Sequence, residues 1–239
     1  MYPNNGISPV DLGMFTECEF LSDLIYNPAK TALILQAERL GIQFRGGLLM
    51  LVEQARRASE LFTGIDIPHE TSEVISEKIE KQTKNIVLIG MPSCGKTAIG
   101  RHLHDLTKRK LVDIDEEIET REGKKITSIF ADSGEAYFRK VESEVLREFC
   151  RESGLVIAAG GGAVTTPENR DIMRQNSTVV FIKRELKYLD TSDRPLSQAK
   201  GTEQIYSERA GLYESWSDIS VQNQDQLKAA KKITEVLKI

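Results

Sequence analysis

The segment Gly90-Met91-Pro92-Ser93-Cys94-Gly95-Lys96-Thr97 fits the spacing G-x-x-x-x-G-K-[ST] in full. That spacing has a specific chemistry. Two glycines let the backbone curl until its N–H groups converge on phosphate oxygens, and a helix N-terminus adds positive potential. The lysine reaches the β- and γ-phosphates, and the hydroxyl after it ligates Mg²⁺. Pro92, Ser93, Cys94, Gly95, Lys96, Thr97 and Ala98 are therefore the expected ATP-binding stretch. The loop specifies a nucleoside triphosphate and leaves the phosphate acceptor open. Cys94 has two readings: a thiol activated by the helix N-terminus, or a small loop-lining residue, with the second favoured.

Three further clusters stand where an acceptor would lie. In Asp113-Ile114-Asp115, two carboxylates two residues apart would share a strand face, one serving the Mg²⁺ shell and the other a hydroxyl. The same residues also fit a solvated acidic turn opening a helix. Arg139 and Glu142 are spaced as a helical ion pair, which on a surface would mean little. Gly160-Gly161-Gly162 directly follow a strand candidate and permit very close backbone approach to a ligand.

The elements that position these groups alternate. Asn85 to Ile89 is a short β-branched run ended by Gly90, as a buried strand requires. Leu111 to Ile114, Leu155 to Ala159, Thr178 to Ile182 and Ile219 to Val221 are further strand candidates. Helices are expected from about Gly95, from about Gly134 to Arg151, after the Thr166-Pro167 entry, over Glu203 to Ser215, and over Asp225 to Leu237. Such alternation implies a parallel sheet covered on both faces, with ligands beyond the carboxyl ends of the strands.

Composition narrows the class. The chain has 239 residues, is 40% hydrophobic and 28% charged, and carries a formal net charge of −4. It can bury a core, and the near-balance of charge argues against bulk nucleic-acid binding. No run approaches the roughly 18 apolar residues of a membrane span, and the first residues lack a signal-peptide pattern. Cys18, Cys94 and Cys150 suit neither a disulfide framework nor a zinc site, and His69, His102 and His104 form no metal cluster. A cytoplasmic protein is expected.

From Asn85 to about Asn223 the clusters occur jointly and in order. Together they resemble shikimate kinase: the phosphate loop, Asp113 to Asp115, Ile126, Ile129-Phe130, Gly134-Glu135, Phe138-Arg139, Glu142, the triple glycine and Arg194-Pro195-Leu196. The resemblance implies transfer of the ATP γ-phosphate to the 3-hydroxyl of shikimate with Mg²⁺. It implies a P-loop nucleoside-monophosphate-kinase-like α/β fold, with a five-stranded parallel sheet of order 2-3-1-4-5. By carry-over, Lys96, Asp115 and Arg194 are catalytic, Asp115 binding shikimate hydroxyls and acting as base. Thr97 and Asp113 serve the metal, Asp113 through water. Arg139 and Arg209 clamp the shikimate carboxylate, Gly160, Gly161 and Gly162 line its pocket, and Glu142 orients Arg139. Arg194 is the lid arginine over the phosphates. Two departures stand out. Gly211 occupies the proline position of the late R-x-P-x-Y motif, which should loosen the helix near Arg209. The stretch from Lys183 to Asp193 is short, and no arginine matches the one that packs on adenine.

Residues 1–67 have no place in a kinase. Thr31 to Leu40 and Gly46 to Gly64 read as two helices. Met50 and Gln54 share a helix face, and the plain reading puts Met50 in a core. The segment resembles the C-terminal end of shikimate dehydrogenase in its Met1-Tyr2-Pro3 start, Tyr26-Asn27-Pro28, Gly47 to Ala55 and final Thr63-Gly64. By that resemblance Tyr26 and Gln54 correspond to shikimate contacts, while Gly47 and Met50 lie near a nicotinamide. No G-x-G-x-x-G occurs in the chain, so a dehydrogenase tail truncated at Met1, without dehydrogenase activity, is expected. The expected organisation is 1–67 fragment, 68–84 linker or exposed helix, and 85–239 kinase. Self-association or a dehydrogenase contact through the fragment is expected, with shikimate and ATP as small-molecule partners. Another P-loop small-molecule kinase, or a non-catalytic shikimate-binding or scaffolding module, is the competing reading.

Overall fold

The structure is a computed structural model that describes residues 6–189 and 201–239. The chain divides into two compact units, Met1–Lys84 and Asn85–Ile239.

In the first unit, β1 (Phe20–Ser22) pairs in parallel with β2 (Gln43–Arg45), joined through α1 (Ala32–Leu40). Thr31 caps α1 by accepting the Ile34 N–H, and Gly41 ends it in the left-handed region. Next come α2 (Leu48–Thr63), closed by Gly64, and α3 (Glu70–Thr83), which packs on α2. The loop between them is tied by charge. Arg56 Nη1 donates to Glu60 Oε1 at 2.6 Å and to the Ile67 carbonyl at 2.7 Å, while the Ile67 N–H donates back to Glu60 Oε1. The segment 68–84 is thus mostly helix. Met50 is not in a core: it is exposed, and Val52 is the buried apolar residue of α2.

The second unit is built on a five-stranded parallel sheet. Its strands are β3 (Asn85–Ile89), β4 (Leu111–Asp113), β5 (Val156–Ala158), β6 (Ser177–Lys183) and β7 (Ile219–Gln222). The spatial order is β4-β5-β3-β6-β7, which is 2-3-1-4-5 within the unit. Every residue of β3 is buried, as the central position demands, because helices cover both faces. Those helices are α4 (Lys96–Thr107), α5 (Ile114–Glu122), α6 (Ile126–Arg151), α7 (Glu168–Arg174), α8 (Thr202–Trp216) and α9 (Gln226–Leu237). The core runs through Ile86, Leu88, Ile99, Leu103, Ile114, Leu146 and Ile157.

Among the boundaries that differ from expectation, two have a local reason. β4 ends at Asp113 because its carboxylate accepts the Asp115 and Glu116 N–H groups and starts α5. Helix begins at Ile126, well before Gly134, and Gly134 interrupts it with φ 79° and ψ 174°. The Gly211 position does not interrupt α8, which runs continuously through it.

Candidate active site

All five strands point their carboxyl ends toward one cavity of about 380 Å³. One side of it is the phosphate loop. β3 delivers the chain at Gly90, and α4 starts at Lys96, so the loop's amides face the cavity from a helix N-terminus. Lys96 is nearly buried, and its Nζ donates to the carbonyls of Gly90 at 3.0 Å and Met91 at 2.9 Å. Pro92, Ser93, Gly95, Thr97 and Ala98 line the cavity with it. Cys94 is fully buried and is not among the residues that line the cavity.

Thr97 Oγ1 donates to Asp113 Oδ2 at 2.5 Å, joining the first turn of α4 to the end of β4. A hydroxyl and a carboxylate held together beside a phosphate loop are hard oxygen donors of the kind Mg²⁺ takes, so the residues present fit that ion. Asp115 also lines the cavity, from the first turn of α5. It is not one strand face that brings the two aspartates together: Asp113 caps the helix on which Asp115 sits.

The opposite side is a compact charge cluster on the triple glycine. Arg139 Nη1 donates to Glu142 Oε2 at 2.6 Å, and its Nη2 and Nε donate to Glu135 Oε1 at 3.2 and 3.3 Å. Glu142 is fully buried, and its Oε1 has no hydrogen-bond partner. Burial pushes Glu142 up to about 7; the Arg139 guanidinium opposes the rise and the Asp115 charge adds to it. The glycines are required by space. A methyl group on Gly160 would overlap Glu142 Oε1 and come within 3.1 Å of Asp115 Oδ1, and one on Gly162 would overlap the Arg139 guanidinium. Arg209, on α8, is 5% exposed; it donates from Nη1 to the Gly161 carbonyl at 3.2 Å and keeps a buried Nε without a partner. Two arginines and an orphaned guanidinium N–H around one pocket suit an acceptor bearing a carboxylate.

Lys96, Thr97, Asp113, Asp115, Arg139, Arg209 and the three glycines are thus brought together. Arg194 lies outside the described residues.

A family model for shikimate kinase matches residues 92–238. The chain belongs to the shikimate kinase family. It is 42% identical over 145 residues to the shikimate kinase of Nitrosomonas europaea, covering 56% of this chain and 68% of that one. With the shikimate kinase of Clostridium beijerinckii it shares 39% over 160 residues, covering 64% of this chain and 94% of the relative. Among solved structures, a shikimate kinase from Acinetobacter baumannii in complex with shikimate superposes with a TM-score of 0.63. The identity there is 33%, and the match covers 68% of this chain and 97% of that one. Membership makes the chain an ATP-dependent kinase acting on shikimate.

Shikimate kinase motifs assign no role to two supporting residues, Tyr213 and Asn223. Tyr213 Oη donates to the Gly161 carbonyl at 2.5 Å, and its ring stacks on Phe181. Burial pushes the Tyr213 phenol above its ordinary range, which keeps it a donor. Asn223 Nδ2 donates to the Cys94 carbonyl at 2.7 Å and so braces the phosphate loop from the end of β7. The Tyr of the late motif was a visible signal; Asn223 had none.

Proposed function

We propose that the chain transfers the γ-phosphoryl group of Mg²⁺-ATP to the 3-hydroxyl of shikimate, giving shikimate 3-phosphate and ADP. The observation carrying this is the meeting, in one cavity, of a complete phosphate loop with Asp115, Arg139 and Arg209 around the triple glycine.

The roles follow from position. Loop amides from Ser93 to Ala98 hold the phosphates, with Pro92 shaping the turn, and Lys96 turns its Nζ from the Gly90 and Met91 carbonyls onto them. Thr97 directly and Asp113 through water would hold Mg²⁺, which when bound withdraws charge from the β- and γ-phosphate oxygens. Arg139 and Arg209 bind the shikimate carboxylate, Arg139 being oriented by Glu142 and Glu135. Asp115 then accepts the proton of the hydroxyl as its oxygen attacks phosphorus. Arg194 closes over the phosphates as the lid arginine, by family resemblance. The reaction draws on ATP, and the buried thiols Cys94 and Cys150 are free, which supports a cytoplasmic setting.

Residues 1–67 are proposed to descend from the C-terminal end of a shikimate dehydrogenase and to lack its activity. In support, no G-x-G-x-x-G dinucleotide-binding motif occurs in the sequence. The many exposed apolar side chains of this unit support self-association, or contact with a dehydrogenase, through it.

The deciding measurement is ADP release from Mg²⁺-ATP with and without shikimate, and with gluconate as the control acceptor. Shikimate-dependent turnover that falls at least about hundredfold in both Asp115→Asn and Lys96→Ala is expected. Turnover on gluconate alone would overturn the acceptor assignment. Shikimate-dependent NADPH formation by the chain would overturn the inert reading of residues 1–67.

A further inference from the structure

Arg184 follows β6 and lines the same cavity as Gly95, Lys96 and Thr97. Its position is tight against the phosphate loop. A methyl group on Gly95, at the N-cap of α4, would stand 3.8 Å from Arg184 Nη1 and 2.5 Å from Asn223 Nδ2. Asn223 is already committed to the Cys94 carbonyl. Arg184 is half-buried and forms no hydrogen bond or ion pair with another described residue. Among the described residues, Glu185 pairs with Lys187 at 2.7 Å, and Glu214 pairs with Lys183 at 2.9 Å. A guanidinium with no counter-ion among the described residues, beside a helix N-terminus shaped for anions, is placed to meet a phosphate oxygen.

We infer that Arg184 is a nucleotide-binding residue whose charge holds the ATP phosphates from the β6 side of the loop, opposite the acceptor groups on Gly160 and Gly162. This rests on the ATP-binding reading of the loop. It adds a second fixed cation to Lys96. Because ADP retains the phosphates nearest the loop, Arg184 contributes to binding of substrate and product nucleotide alike.

The test is calorimetric titration of the full chain with ADP and with adenosine, for wild type, Arg184→Ala, Arg184→Gln and Lys96→Ala, with thermal melts to confirm folding. Loss of one charge-assisted bond predicts a rise in the ADP Kd of about tenfold or more in both Arg184 variants. Adenosine affinity and the shikimate KM should stay at wild-type values. An ADP Kd within about twofold of wild type in Arg184→Ala overturns the inference. So does retention of ADP binding by Arg184→Gln, which would mean a flat contact with the base in place of charge. If Lys96→Ala weakens ADP binding and Arg184→Ala does not, only the Arg184 inference falls. If neither weakens it, the nucleotide reading of the loop falls with it.

Discussion

Glu142 has one oxygen on Arg139 and the other buried without a partner at the wall of the active-site cavity, so its proton is part of the site's electrostatics. Its pKa is raised by burial from 4.5 to about 7, so between those values the folded chain binds more proton than the unfolded one. Its contribution to stability is therefore full below about pH 4.5 and is lost as pH rises through 7, by about 3 kcal/mol at most. Urea titrations from pH 5 to 8 should show this fall in wild type, and Glu142→Gln should flatten it. An unchanged slope would mean that Arg139 keeps the carboxylate ionised throughout. Tyr213 carries a second prediction at this scale. Tyr213→Phe removes the bond to Gly161 and should cost about 1–2 kcal/mol in denaturant unfolding and raise the shikimate KM more than it lowers kcat. Lys96, Thr97 and Arg139 were legible because their chemistry lies in contiguous motifs. Tyr213 and Asn223 act on carbonyls 52 and 129 residues away, a relation that no local spacing encodes.

Two glycines in helical stretches show how elements obey different terms. Gly134 breaks α6 with φ 79° and ψ 174°, and a methyl group there would touch nothing, so only the backbone would object. Gly211 sits inside an unbroken α8, exposed, also with open space around it. Gly134→Ala should therefore cost about 1–3 kcal/mol, whereas Gly211→Ala should stabilise by about 0.5–1 kcal/mol. Melting temperatures of the two variants check both signs; equal signs would mean that α6 is continuous at 134. The sheet was readable at this scale because β3, β5 and β6 are largely buried runs rich in β-branched residues. The sequence of the helix 70–83 admits two readings because its packing buries Ser72 and little apolar surface. The three-residue strands β1 and β2 are too short for alternation to register.

At the scale of the molecule, the two units differ in how completely they hide apolar surface. The kinase unit encloses a continuous core from Ile86 to Ile233. The unit of residues 1–84 buries Leu12, Ile34, Leu35, Ala37 and Val52, while leaving Leu61 81% and Phe62 90% exposed at the end of α2, and Val74 exposed on α3. A small unit with so thin a core gains from covering such side chains. Composition could not reveal this, since the same leucines and phenylalanines would read identically if buried. Light scattering of the full chain should give a mass above the 26.8 kDa of one chain that rises with concentration. Leu61→Lys with Phe62→Glu should return it toward the monomer. Shikimate-dependent turnover should be unchanged in that variant, because every described residue of the active-site cavity lies between Asn85 and Ile239. A wild-type chain that stays at the monomer mass at all concentrations would remove the case for self-association, and loss of turnover in the charged variant would show that the first unit supports the kinase after all.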